Sequence, residues 1–184
     1  MGNIRIIGGQ WRSRKILVPP KVRPTSDRVR ETLFNWLRPH LFQAVCLDAF
    51  AGTGILGLEA LSHGASKVYF NDESSSILKQ LNSNIHCLKP SPATYALMQH
   101  TLPQHLSITT PVNIVFLDPP FHEKKWHKLL SWLIQQPWLK DDALIYVEHE
   151  KDYELPLINW EFYRQKTAGE VCYGLLRKTS SDTP

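Results

Sequence analysis

Three features of this sequence predict an α/β fold built on a doubly wound, mostly parallel sheet. Short apolar runs rich in Val, Ile, Leu and Phe alternate with longer segments of helical period. Two of those runs stop at a carboxylate, Val45-Cys46-Leu47-Asp48 and Val115-Phe116-Leu117-Asp118, and the second continues into Pro119-Pro120-Phe121. The last two runs, Trp160 to Lys166 and Val171 to Arg177, face each other across Ala168-Gly169 and predict a closing antiparallel hairpin.

The 184 residues, 42% of them hydrophobic, suffice for one globular domain with a small appendage. No apolar run approaches the roughly 18 to 20 residues of a membrane span, and Met1-Gly2-Asn3-Ile4-Arg5 does not open a signal peptide. The expectation is a cytoplasmic protein. Cys46, Cys87 and Cys172 are odd in number and far apart, which suggests neither a disulfide framework nor a zinc site. Net charge is +4, but residues 1–38 hold nine Lys and Arg against Asp27 and Glu31, a local net of +7 that leaves −3 for the remainder. A basic front on a mildly acidic body is the footprint of phosphate-backbone binding.

Within that front, Ile4-Arg5-Ile6-Ile7 and Ile16-Leu17-Val18 flank Gly8-Gly9 and predict a hairpin with Trp11 near its turn. Trp11 either stacks on a base or anchors the hairpin to the body. From Ser26 as N-cap, Val29, Leu33, Trp36 and Leu37 predict a helix from Asp27 to Leu37 that stops before Pro39, with Arg28 and Arg30 away from the apolar stripe. Arg5, Arg12, Arg14, Lys15, Arg28 and Arg30 are thus the candidate phosphate contacts. The chain divides into a basic extension over residues 1–38, a catalytic domain over 39–179 and a tail over 180–184.

The first central strand, Val45 to Asp48, leads through Ala49-Phe50-Ala51 into Gly52-Thr53-Gly54-Ile55-Leu56-Gly57. Glycines let backbone approach a ligand closely, and the helix opening at Ile55 should point free N–H groups at the same place until Gly64 ends it. A second strand, Lys67 to Asn71, finishes at Asp72, 18 residues beyond Gly54, where a carboxylate can accept hydrogen bonds from a ribose diol. These residues specify a nucleoside-bearing cofactor. The glycines formally fit the dinucleotide pattern, yet Asp48 would repel a pyrophosphate and attract a cation. S-adenosylmethionine, with its ammonium, sulfonium and ribose, suits Asp48, Phe50, Gly52, Thr53, Gly54 and Asp72 better.

Ser74 to Asn84 reads as a helix with Ile77, Leu78, Leu81 and Ile85 buried, and Thr94 to Met98 as a third strand, with His100 a positional candidate for the adenine side. Val112 to Leu117 is the strand that ends at Asp118. A prolyl nitrogen carries no hydrogen, so the Asp118-Pro119-Pro120 corner offers acceptors without competing donors, and Phe121 adds a flat face for a planar ring. An exocyclic amino group on a nucleobase fits all of these. His122 and His127 lie five apart, about 140° around a helix, so metal ligation is not expected. Trp126, Leu129, Leu130 and Leu133 form a further helix ending near Pro137, and Ala143 to Val147 a strand with Glu148-His149-Glu150 beyond it.

Taken together, these residues resemble the class I S-adenosylmethionine methyltransferases, which have a Rossmann-like fold, and more closely the bacterial 16S rRNA guanine-N2 methyltransferases of the RsmD type. The resemblance rests on Arg5-Ile6-Ile7-Gly8-Gly9 with Arg12 and Arg14, Arg23-Pro24-Thr25-Ser26-Asp27-Arg28-Val29-Arg30-Glu31-Thr32-Leu33-Phe34, Leu47 to Gly54, Leu58-Glu59-Ala60-Leu61 and Asp118-Pro119-Pro120-Phe121. It implies a seven-stranded sheet with the last strand antiparallel and cofactor at the edge of the first two strands. It further implies a guanine of 16S rRNA, within the 30S subunit, as substrate, with Asp118, Pro119, Pro120 and Phe121 catalytic. A monomer is expected. Amino-group transfer to adenine N6 or glutamine shares the tetrapeptide. A noncatalytic RNA-binding assembly factor and an NAD-dependent oxidoreductase are the readings from other classes.

Overall fold

The computed structural model describes residues 2–19, 22, 24–120 and 125–179. Phe121, expected at the catalytic corner, lies outside the described residues, as do His122 and Glu123.

The basic front begins with a two-stranded antiparallel ribbon, β1 (Gly2–Arg5) against β2 (Lys15–Val18), with Ile4 opposite Ile16. Between them a 3-10 turn over Gly9–Trp11 carries the chain back toward the body. Trp11 is only 9% exposed and its N–H donates to Ser62 Oγ at 2.9 Å. Of the two roles open to it, Trp11 anchors the ribbon; it does not offer a stacking face.

Helix α1 (Asp27–Leu41) starts where Ser26 Oγ accepts the Val29 N–H, as its N-cap role requires. It runs through Pro39 instead of stopping before it, so the boundary expected between residues 38 and 39 falls inside a helix. Leu33, Leu37 and Leu41 recur every four residues and are all essentially buried, each worth about 1.5–3 kcal/mol. That burial outweighs the single backbone bond a proline forfeits in the last turn.

The core is a seven-stranded sheet of β3 (Val45–Asp48), β4 (Lys67–Asn71), β5 (Tyr95–Met98), β6 (Val112–Leu117), β7 (Leu139–Glu150), β8 (Trp160–Ala168) and β9 (Val171–Lys178), in spatial order β5-β4-β3-β6-β7-β9-β8. Pairings from β5 through β7 are parallel; β9 runs antiparallel to both its neighbours, as expected of the last strand. Residues of each strand alternate between two cores. Cys46, Val68, Phe70, Ile114 and Phe116 face α1, α2 (Ile55–Ser62) and α3 (Ser75–Leu88). Leu47, Tyr69, Val115, Leu117 and Ile145 face α4 (Trp126–Ile134) together with Leu102, Leu106 and Ile108 from the segment before β6. Helices therefore cover both faces. No helix of the described residues is long and apolar enough to cross a membrane.

Candidate active site

The C-terminal edges of the parallel strands meet at a cavity of about 730 Å³. In open α/β sheets this edge is where ligands bind, because loops leave it in different directions and helix N-termini open onto it. Asp48 ends β3, Asp72 follows β4, Asp118 follows β6 and Glu148 lies near the end of β7; all four line the cavity. The glycine turn and the Asp-Pro-Pro corner are thus two walls of one space. Their closeness follows from register, since Asp48 pairs with Phe116, two residues before Asp118, and the Ala49 N–H donates to the Phe116 carbonyl at 3.0 Å.

Gly52 and Gly54 hold left-handed backbone, φ 52° and 76°, which glycine adopts at least cost. At Gly54 a Cβ would also lie 2.2 Å from Leu81 Cδ1, so the turn is wedged against α3. Further on, a Cβ at Gly57 would meet Phe70 Cε1 at 2.2 Å, the close packing of α2 on β4. Three N–H groups of the turn and helix start are not open, contrary to expectation. Gly52 donates to Asp72 Oδ2 at 3.0 Å, Ile55 to Thr53 Oγ1 at 3.2 Å, and Gly57 to Asp48 Oδ2 at 3.0 Å. A pyrophosphate would have to displace the protein's own oxygens from these three donors, which argues against the dinucleotide reading.

Asp72 is held from a second side, where Oδ1 accepts the Ser74 N–H at 2.9 Å. Asp72 lines the cavity, and each of its oxygens has a further lone pair. Asn71, buried beneath it, donates to the carbonyls of Ala49 and His100 and accepts the His100 N–H. That side chain, whose role the sequence reading missed, fixes His100 and the adjoining Thr101 and Leu102 in the cavity wall. Glu73, Ser74 and Ile77 also line it and were equally missed. Phe50 and Thr53 also line this side of the cavity.

On the other wall Pro119 is buried, Pro120 is exposed and Asp118 keeps part of its surface open. Tyr146 donates its hydroxyl to Glu148 Oε2 at 2.8 Å. Burial, then the charge of Glu148 and then of Asp48, push the Asp118 carboxyl well above the usual carboxylate range. Burial also pushes Asp48 up to about 7, against the lowering bond from Gly57 and with help from Asp72. The walls carry five carboxylates and, among the described residues, no lysine or arginine. Such a cavity is electrostatically complementary to a cation and to N–H donors.

The phosphate-contact candidates separate into two kinds. Arg5, Arg12, Arg14, Lys15 and Arg28 are exposed, Arg14 also donating to the Cys87 carbonyl on α3 at 2.8 Å. Arg30 is not available to RNA. It is fully buried, ion-paired with Asp27 and Glu59, and donates to the carbonyls of Thr25 and Arg5. Its charge fastens α1 to α2 and to the ribbon, a burial tolerable only because every direction of the guanidinium finds an acceptor.

A family model, described as "Conserved hypothetical protein 95", matches residues 4–177. The ribosomal RNA small subunit methyltransferase D of Escherichia coli K12 is 46% identical over 181 residues, covering 96% of this chain and 91% of that protein. The protein of the same name from Haemophilus influenzae is 46% identical over 184 residues, with 95% and 93% covered. The chain belongs to this methyltransferase family. A solved chain from Escherichia coli superposes with a TM-score of 0.86 at 45% identity, covering 98% of this chain and all of that one. The ribbon, α1 and the sheet are therefore shared along nearly the whole length, and the protein is a methyltransferase with the Rossmann-like fold of class I.

Proposed function

We propose that this methyltransferase transfers the methyl group of S-adenosylmethionine to the exocyclic N2 of a guanine in 16S rRNA. The observation that carries the reading is the single cavity in which the Gly52–Gly54 turn with Asp72 faces the Asp118-Pro119-Pro120 corner. The named relatives support the small-subunit rRNA as substrate. The donor set fits the cofactor. Asp72 has lone pairs for the two hydroxyls of a ribose, Phe50 and Leu102 offer apolar surface, and Asp48 offers negative charge to an ammonium or sulfonium. His100, with its backbone fixed by Asn71, stands on the side proposed for the adenine.

When bound, S-adenosylmethionine supplies an electrophilic methyl on a positively charged sulfur. The guanine amino nitrogen is a weak nucleophile because its lone pair is delocalised into the ring. Asp118 and the Pro119 carbonyl accept its two N–H protons, turn the lone pair toward the methyl and favour the positive charge that grows on nitrogen. The N–C bond forms as the C–S bond breaks and its electron pair stays with sulfur. The surplus proton on nitrogen passes to Asp118. Phe121 is the proposed stacking face for a base taken out of its surroundings. Exposed Arg5, Arg12, Arg14, Lys15 and Arg28 would hold phosphates along residues 1–38, while 39–179 carry the chemistry; the tail expected over 180–184 lies outside the described residues. The proposed setting is a cytoplasmic monomer acting on the 30S subunit.

The test is transfer of a labelled methyl from S-adenosylmethionine to small subunits from a strain lacking the modification, with the product nucleoside identified by mass spectrometry. N2-methylguanosine is expected. Methylated adenosine, or label in protein, would overturn the assignment.

A further inference from the structure

The edge strand of the sheet carries a basic patch that the methyl-transfer chemistry does not use. β8 is the outermost strand on the β9 side, and its pairing steps from Phe162 with Leu176 to Arg164 with Leu175. Tyr163 is therefore the extra residue of a bulge, the device by which a strand re-aims one side chain. It is 38% exposed, and its ring meets the His40 ring of α1 edge-on at 6.4 Å. The Arg164 and Arg177 guanidiniums both lie 5.5 Å from its centroid. Arg164 pairs with Leu175 and Lys166 with Tyr173, and Arg177 follows Leu175 by two, so all three cations share the sheet face that packs on α1. Arg177 Nε donates to Glu161 Oε1 at 2.6 Å, whereas exposed Arg164 and Lys166 have no ion pair among the described residues.

Gathering two guanidiniums on one ring brings mutual repulsion, which the ring offsets by only about 0.5–1 kcal/mol for each at an exposed site. Charge on an edge strand does discourage pairing with other chains, but that purpose needs neither a bulged tyrosine nor cations brought together on one face. An anion shared between them accounts for both. The chain beyond residue 38 is net acidic, so the patch differs from its surroundings. It is also continuous with the cavity. Ala168, five residues after Tyr163, lines the cavity, as does Val29, eleven residues before His40. Rises of about 3.3 Å per strand residue and 1.5 Å per helical residue put the patch roughly 17 Å from the cavity along both elements. Resting on the rRNA reading above, we propose that Arg164, Lys166 and Arg177 form a second RNA-binding surface, holding phosphates of the strand that flanks the target base. Tyr163 is a positioning residue that sets the two guanidiniums side by side. The ribbon, bonded through Leu17 to Asn84 of α3, the helix that connects β4 to β5, stands toward the other end of the sheet. The RNA is thereby held on both sides of the base.

The experiment measures methyl transfer to small subunits as a function of salt for wild type, the double variant Arg164→Gln with Lys166→Gln, Tyr163→Ala and Tyr163→Phe. The double variant should raise KM for subunits at least about tenfold at low salt with kcat nearly unchanged, and its slope of log kcat/KM against log salt should shrink by about 0.7 to 0.9 for each phosphate released. Tyr163→Ala should give a smaller rise in KM, and Tyr163→Phe, which keeps the ring, almost none. Affinity for S-adenosylhomocysteine should be unchanged in all of them, which separates a lost surface from a lost fold. A photoreactive group on Lys166→Cys, in a Cys87→Ser background because Cys87 is the exposed cysteine, should crosslink to 16S rRNA. Wild-type KM and salt slope in the folded double variant, or a crosslink to a ribosomal protein in place of rRNA, would overturn this surface while leaving guanine methylation standing. Label transferred by wild type to protein and not to rRNA would instead remove the reading beneath it.

Discussion

Gly52 donates its backbone N–H to Asp72 Oδ2, so the turn after β3 and the carboxylate after β4 form one unit. The carboxylate is aimed before any ligand arrives. Asp72→Ala should therefore do more than delete a ribose contact, because it also strands the N–H groups of Gly52 and Ser74. Affinity for S-adenosylhomocysteine by calorimetry should fall about tenfold to a hundredfold in a protein that stays folded. Unchanged affinity would place the ribose elsewhere.

Asp118→Ala separates chemistry from cofactor binding. Loss of the acceptor aimed at the amino group should cut methyl transfer by about a thousandfold. S-adenosylhomocysteine should bind nearly as before, since Asp72 and the glycine turn are untouched. A variant with weak cofactor binding and near-normal turnover at saturation would reassign Asp118 to the cofactor side.

Asp48 makes cofactor binding sensitive to pH. Its carboxyl is raised from 3.8 to about 7 by burial, and a cationic ligand binds the ionised form best. Affinity for S-adenosylmethionine should rise with pH and level off above about 7, falling by at most about tenfold per unit below it. Asp48→Asn should flatten that profile. The sign for the ligand-free fold is opposite. A folded pKa above the unfolded one means the folded state binds the proton more tightly, so this group's contribution to stability declines as pH rises between those two values.

Removing Arg30 tests the structural role of a buried charge. Arg30→Met leaves Glu59 buried without its cation and should cost about 3–5 kcal/mol in urea unfolding. The double variant Arg30→Met with Glu59→Leu should recover part of that, although the Ile7 N–H then loses its acceptor at Glu59 Oε1. Preserved stability with a raised KM for subunits would return Arg30 to the RNA surface.

The exposed basic residues should act through ionic strength. Changing Arg12, Lys15 and Arg28 together to Ala should raise KM for subunits and leave kcat nearly unchanged. The slope of log affinity against log salt should shrink by about 0.7 to 0.9 for each phosphate that is no longer neutralised. Equal slopes for variant and wild type would exclude these three from the interface.

What was legible in the sequence follows from how far each signal reaches. An apolar run closed by a carboxylate is local, and Asp48 and Asp118 stand at the sheet edge as that pattern requires. Glu148 follows the same pattern after Ala143 to Val147, so the signal for it was present and went unused. Arg30 was misplaced for a readable reason, since it precedes Leu33, Phe34 and Leu37 by three, four and seven residues and therefore lies on the buried stripe. Its charge concealed this, and its partner Glu59 is 29 residues away, beyond any local pattern. The three blocked N–H groups of the glycine turn depend on Asp48, Thr53 and Asp72 reaching back to them. The Thr53 bond spans two residues and the Asp48 bond nine, but the one to Asp72 spans twenty and exists only once β3 and β4 are paired.

The position of β9 between β7 and β8 has a consequence for synthesis. This interior strand is made after both of its neighbours, so a nascent chain halted before residue 171 can build the parallel half of its sheet yet has nothing to join β8 to β7. Ala168 and Val171, which flank the hairpin turn, close one side of the cavity. Every strand of the sheet must therefore be in hand before the enzyme possesses a complete pocket, and a chain cut ahead of β9 is a polypeptide with frayed strands instead of a slower catalyst.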